Sequence, residues 1–591
     1  MRFLIIFCVL FCYNAFAQDD ILAAEYFKNG EFEKALVSYQ NLVKKNKTNR
    51  TYILKLVKTH QQLEQYEAAK NLLEDVIIKT NFSPFLVELG YNYGLQNDSI
   101  NAKLNYEKAL ATIDESPNNA FIIGRAFESL SLLEQAILTY EKAMELKPEL
   151  NFNMQLARIY GEQGNVEKMF NSYINFSEIN ESYINVIKRE FSAFITESKD
   201  NENNIVLRKI LLRKIQSSPN LLWNEMLSWL FIQQKEYNKS FAQEKAIYKR
   251  ELESLDRIEE LANIAYNKKQ YDISKEVFQF IVDNTQEIDS KLKAHYSLIQ
   301  IDTELASKND YKTIAKAYLD LFSEFGEEDR TLDLQISYAH FLAFYQNDTK
   351  EAISVLKNSL KLPLSQYREA QVKLELGDIL VLEEKFNEAL IYYTQIQRSL
   401  KNSTISQLAR FKVAKTSYYK GDFKWAESQL KILKSSTSQL TANDALDLKL
   451  LISDNKQEDS LQVALKKYAK ADLLAFQNKK EQAITLLNSI LENHKTETII
   501  PQTLLKQAQL FEDKKAYEKA KVNYERIIRD YKEGILIDDA LYALAELYNN
   551  HLAQPEEAKK LYENIIFNHS DSIYFVEARN KFRSLRGDEI N

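Results

Sequence analysis

Six histidines are scattered along 591 residues, at His60, His295, His340, His494, His551 and His569. Imidazoles share a divalent metal when they stand one helical turn apart, as in H-E-x-x-H. No two of these are four residues apart, and the nearest pair, His551 and His569, flanks an expected helix. They are read as helix-face residues, and no metal or other cofactor is expected. Nucleophilic and phosphate chemistry also lack their motifs: neither G-x-S-x-G nor G-x-x-x-x-G-K-[ST] occurs. Carboxylates do stand side by side, as at Glu383–Glu384 and Glu556–Glu557. Adjacent residues on a helix point in different directions, so such pairs suit solvent better than acid–base work. The chain is read as non-catalytic.

The elements that carry these residues are helices. Only 11 Gly and 7 Pro occur, far below the typical usage of roughly 7% and 5%. Folds with many tight turns are disfavoured. A hydrophobic content of 45% argues against disorder, and 34 Tyr with 31 Phe require packing sites. The length exceeds one ordinary core, so several domains or a repeat array are expected. Lys and Arg number 77 against 84 Asp and Glu, a net charge of −7. An acidic chain gives no reason to expect nucleic acid as a partner.

Residues 1–17 read as a secretory signal peptide. Arg2 supplies the positive start and "FLIIFCVLFC" the apolar run. Ala15 and Ala17 take the small-residue positions before a cleavage site at Gln18. The run is shorter than the ~18 residues of a spanning helix, and no integral membrane segment is expected after cleavage. Cys8 and Cys12 are the only cysteines. A mature chain would have none, and its stability would rest on packing alone.

The tetrapeptide Tyr-Glu-Lys-Ala occurs with tyrosines at Tyr106 and Tyr140, 34 residues apart. Extending the comparison aligns Ala102 with Ala136, Ala109 with Ala143 and Gly90 with Gly124, and places Pro148 at the exit. The small-residue slot continues as Ala35, Ala69, Ala102, Ala136 and Met169. Four residues later an aromatic or Leu slot holds Tyr39, Leu73, Tyr106, Tyr140 and Tyr173. Two antiparallel helices approach closely only where one presents a small side chain, and a facing ring fills the remaining space. Towards the C-terminus the slot returns as Ala389, Ala426, Ala483, Ala520 and Ala558, at intervals of 37, 57, 37 and 38. The wide interval contains "SSTSQLTAND" and "SDNKQEDS", read as a joint around one short helix.

This pattern resembles the tetratricopeptide repeat (TPR) superfamily along most of the chain. It implies an all-α fold, a right-handed α-solenoid of helix–turn–helix TPR-like repeats. The parts are residues 18–183, an N-terminal TPR array; 184–330, an irregular helical-hairpin or TPR-like region; and 331–440, TPR-like repeats. A polar joint at 441–462, C-terminal TPR repeats at 463–570, and a capping helix and tail at 571–591 complete it. The C-terminal units, with "GILIDDALYALAELY" and "SDSIYFVEAR", resemble periplasmic TPR modules of outer-membrane assembly lipoproteins and cell-envelope coordination proteins. The lipid-anchor Cys of such lipoproteins is absent.

The resemblance further implies a concave face lined by the first helix of each repeat, with ligand contact at one slot after the small residue. In the N-terminal array that slot holds Ala24, Lys58, Tyr91, Arg125 and Arg158. Lys58, Tyr91, Arg125 and Arg158 form a candidate groove for acidic peptide segments or a C-terminal carboxylate, since Arg matches carboxylates bidentately. The lysine that a carboxylate clamp needs one turn earlier is replaced by Leu54, Val87, Phe121 and Met154. In the C-terminal array the slot holds Phe341, Asp378, Lys415, Asp472, Gln509 and Glu546, and leans acidic. The expected function is a non-catalytic protein–protein interaction scaffold, exported to the periplasm or cell envelope. Its partners would be other envelope proteins or peptides. The alternatives are a helical arm of a cell-wall-acting enzyme complex, or a surface glycan-capture protein with a TPR core. Only Trp223, Trp229 and Trp425 could offer sugar platforms.

Overall fold

A computed structural model describes residues 19–250, 254–433, 439–456 and 462–588. The signal peptide read over 1–17 lies outside them, as do residues 434–438 and 457–461 of the polar stretches. Among the described residues all regular structure is helical, and helices pair antiparallel in sequence order. No described helix is long and apolar enough to cross a membrane. The chain divides into two compact units, Met1–Ile247 and Tyr248–Asn591, with the division inside the helix Tyr237–Arg250. The segment read as 184–330 straddles that division.

In the first unit the regular pairs are Arg50–Gln62 with Tyr66–Thr80, Pro84–Leu95 with Ser99–Glu115, Ala120–Ser129 with Leu133–Leu146, and Asn153–Glu162 with Val166–Ile179. Their register is set by the crossing of the two helices. Ala35, Ala69 and Ala136 are fully buried, and Ala102 and Met169 nearly so. At Gly124 an added Cβ would lie 2.5 Å from Tyr140 Cε1 and 2.7 Å from its hydroxyl oxygen. Gly90 faces Tyr106 in the same way, at 2.6 Å from Cδ1. In the second unit Gly377 faces Tyr393, at 2.6 Å from Cζ. Each ring therefore occupies the volume that a side chain on the first helix would need.

The turn between the helices of a pair is marked by one left-handed residue. It is Gly30, Glu64, Asn97, Ser131 and Gly164 in the first unit, and Glu384, Gly421, Asn478, Lys515 and Ala553 in the second. These positions repeat with the intervals of the alanine slot. The following residue closes the turn with a bond back to the first helix, as Gln65 N–H does to His60 O at 2.9 Å and Lys385 N–H to Leu380 O at 2.8 Å. Such a closure satisfies carbonyls that a helix end otherwise leaves open. The scarcity of glycine hides this period, because polar residues occupy most of the left-handed positions.

In the second unit Ala389, Ala426, Ala483, Ala520 and Ala558 are all fully buried. The 57-residue interval contains one additional helix, Gln439–Asp454. Its Ala445, Leu448 and Ile452 join the same apolar core as Ala426 and Ala483. Around it, the first helix Thr404–Tyr419 packs directly on the next first helix, Val463–Phe476. The repeat register thus continues through the interval with a helix inserted. The chain closes on Phe575–Arg586, whose Ala578 is buried, while Tyr574 stacks on Tyr542 at 4.4 Å and donates to Asp539 at 2.8 Å.

The Gly–Tyr crossing has a measurable consequence. Gly→Ala in an open helix stabilises by about 0.5–1 kcal/mol, whereas overpacking a filled core costs about 1–3 kcal/mol. Gly124→Ala should lower the melting temperature. In a Tyr140→Leu background the same substitution should be neutral or stabilising, and thermal denaturation of the four proteins of this double-mutant cycle measures the difference.

Candidate functional site

The first helices of the pairs share one face in each unit, and the candidate residues lie along it. Ala24, on the helix over 19–28, is exposed and offers no polar group. Lys58 is half-buried, and its Nζ lies 3.7 Å from Glu88 Oε1. Glu88 is only 3% exposed. Burial pushes its carboxyl up from the ordinary value, and Lys58 opposes that. Lys58 therefore serves a buried carboxylate of its own chain. Tyr91 is half-buried on the helix that carries Glu88.

Arg125 and Arg158 differ from Lys58. Both are exposed, on neighbouring first helices, and neither is ion-paired among the described residues. Each guanidinium lies within electrostatic reach of a ring-slot tyrosine, Arg125 of Tyr140 and Arg158 of Tyr173. Tyr140 is fully buried and donates its hydroxyl to Glu128. Burial, with that carboxylate, pushes the hydroxyl far up, while Arg125 works against the shift. One turn before Arg125, Phe121 is 46% exposed, and Met154 before Arg158 is half-buried. The geometry is two unspent guanidinium groups beside accessible apolar surface.

The C-terminal column is not the open acidic row that its letters suggest. Phe341 is buried against Tyr311 and Tyr345. Asp378 accepts from Tyr393 Oη at 2.6 Å and from Lys412 Nζ at 2.7 Å. Asp472 lies between Lys415 at 2.6 Å and Lys506 at 2.8 Å. Glu546 accepts from the hydroxyl of Tyr562 and from Lys581 at 3.2 Å. Gln509 alone of this column is exposed. The acidic bias is consumed internally, because neighbouring first helices bring oppositely charged residues together. The signal was present in the sequence. Asp378 and Lys412, like Asp472 and Lys506, stand 34 residues apart, which is one 37-residue repeat less about one helical turn.

The histidines remain apart. His60 bonds Gln65 at 2.8 Å, His340 bonds Glu375 at 2.9 Å, and His551 stacks on Tyr517 at 4.4 Å. Among the described residues no group of three or more His, Cys, Asp or Glu is placed to hold a metal ion. Trp223 is fully buried, with its Nε1 donating to Ser218 O at 3.0 Å, and Trp425 is 51% exposed.

Asp472 supplies a pH test. Burial disfavours its charge, yet Lys415 and Lys506 outweigh burial and hold the carboxyl down at about 2. The folded value lies below the unfolded one, near ~3.9. The pair's stabilisation is complete above pH ~4 and is lost as pH falls through about 2. Asp472→Asn, which leaves two lysines without their shared partner, should cost about 3 kcal/mol at pH 7. Melting temperatures at pH 7 and pH 2.5 should differ less in the variant than in the parent.

A tetratricopeptide repeat profile matches residues 502–533 and 539–572, and a second profile of the same description matches 119–150. Comparison with curated proteins finds no match. Among solved structures, the chain is similar to one from "Structure of Naa15/Naa10 bound to HypK-THB" at 11% identity and a TM-score of 0.31, over 96% of this chain and 99% of that one. It is also similar to one from "Crystal structure of APC/C hetero-tetramer Cut9-Hcn1" at 13% identity and a TM-score of 0.21, over 96% of each. The matched tetratricopeptide repeats suggest a protein-interaction scaffold. The chain carries tetratricopeptide repeats in both of its compact units.

Proposed function

We propose that the protein is an exported, non-catalytic scaffold of the cell envelope. In this reading it holds a partner polypeptide on the first-helix face of its first unit. The observation that carries the reading is the contrast along that face. Lys58 is committed to Glu88, whereas Arg125 and Arg158 are exposed and unpaired beside Phe121. An acidic segment, or a free C-terminal carboxylate, supplies the missing counter-charge in bidentate geometry. Apolar side chains of the same segment would cover Phe121. Export rests on the leading residues, where the apolar run and the small residues Ala15 and Ala17 precede Gln18.

Crosslinking in native envelopes, followed by affinity purification, should recover a partner with the parent chain. With Arg125→Glu and Arg158→Glu together the recovery should drop at least tenfold. Recovery equal to the parent's would overturn the assignment of the site. Mass spectrometry of the purified protein should find Gln18 at the mature N-terminus, and an intact Met1 would overturn export.

A further inference from the structure

The second unit has a groove that belongs to none of the columns above. It measures about 1050 Å³ and opens between three successive first helices, Ile288–Leu305, Leu332–Phe344 and Gln366–Leu382, with the short turn Asp329–Thr331 at its edge. Its apolar part is made by Leu292, Leu334, Ile336 and Leu374, around the ring of Tyr296. The Tyr296 hydroxyl accepts from Gln300 Nε2 at 2.7 Å. The irregular pair Ile288–Leu305 and Tyr311–Phe325 packs less closely than the regular pairs.

The rim is acidic. Five carboxylates line the groove, Asp289, Glu328, Asp329, Asp333 and Glu375, against three cations. All three cations are already engaged. Arg368 bonds Asp333 through both carboxylate oxygens at 3.1 and 3.0 Å, and Asp329 at 3.2 Å and at its carbonyl at 2.6 Å. Lys293 pairs with Glu259, outside the groove, and Arg330 lies 3.9 Å from Glu328. Among the described residues Glu375 accepts only the His340 imidazole, and Asp289 is in no ion pair. Deeper in, Gln371 Oε1 is buried without a hydrogen-bond partner. The groove therefore presents surplus acceptors and negative charge over an apolar floor.

Three neighbouring helices spaced ~9 Å apart span ~18 Å, the reach of about six extended residues. We infer that this groove binds an extended polypeptide segment in which lysine or arginine side chains alternate with apolar ones. The apolar side chains of that segment lie against Ile336 and Leu374. Its cations meet Asp289 and Glu375, and its backbone or side-chain donors reach Gln371. The site lies in the other unit from Arg125 and Arg158 and selects the opposite charge, so either assignment stands or falls without the other.

The test is fluorescence anisotropy on the full chain with a labelled eight-residue peptide of alternating lysine and leucine, beside its glutamate–leucine counterpart. The lysine peptide should bind saturably, and the glutamate peptide at least tenfold more weakly. Asp289→Lys with Glu375→Lys should weaken the lysine peptide at least tenfold. Equal binding of the two peptides, or equal binding by parent and variant, would overturn the proposal. Should circular dichroism show the double variant unfolded, Asp289→Asn at its exposed position should still weaken binding about threefold, and no change there overturns it. A photo-crosslinking residue in place of Ser297, which lines the groove, should capture the lysine peptide. Capture only at sites outside the groove overturns it equally.

Discussion

The crossing of two antiparallel helices at a missing or minimal side chain is the constraint from which the rest follows. Gly124 yields its side-chain volume to Tyr140, and Gly377 yields to Tyr393. The ring then reaches through the crossing, so that its hydroxyl emerges among the side chains of the first helix. There it meets a carboxylate: Glu128 for Tyr140, Asp378 for Tyr393, Glu512 for Tyr524 and Glu546 for Tyr562. A buried phenol must find an acceptor. The packing rule thus also dictates where acidic residues are needed on the face available to ligands. Charges that look like a binding pattern in a list of letters are in part the polar ends of the core.

That coupling explains what could be read from the sequence. The alanine slots were legible because burial there depends on local spacing alone, and every alanine named in the second-unit slot is fully buried. The ring slot was legible for the same reason. The turns were less so, since Glu64, Ser131, Glu384 and Lys515 adopt a left-handed conformation that glycine or asparagine would have advertised. The division between the compact units was invisible, because it falls inside a continuous helix without a Pro or Gly to mark it. In the wide interval, the short helix expected between the polar stretches is Gln439–Asp454, and its Ala445, Leu448 and Ile452 extend the core.

The candidate site was legible only in part. Arg125 and Arg158 stand where the register placed them, on the exposed first-helix face. Lys58 is held instead by Glu88, which is 30 residues away in the chain and meets it through the stacking of first helices. Asp378 and Asp472, which give the second column its acidic lean, are paired in the same way. Neighbouring first helices bring charges together at one repeat less about one helical turn, 30 residues for Lys58 and Glu88 and 34 for Asp378 and Lys412, and reading charges at that interval separates spent ions from free ones. The groove at Asp289 and Glu375 had no such signal. It exists where the small-residue register lapses, and a departure from pattern does not show which cavity it leaves.

Spent and free charges also differ in what they can do. Asp472 is 9% exposed and sits between two lysines at 2.8 Å or less. Little water separates these ions, so salt scarcely screens them and they act on stability. Arg125 and Arg158 face solvent, where a pair contributes at most about 1 kcal/mol and where the field extends over a Debye length of about 8 Å at physiological ionic strength. Such charges add little to folding, but they steer encounters and reject partners of like sign. Affinity must then come from apolar contact beside them, which Phe121 offers in the first unit and Ile336 and Leu374 offer in the second. The two proposed sites, built on one packing rule, would thereby differ in the sign of charge they favour.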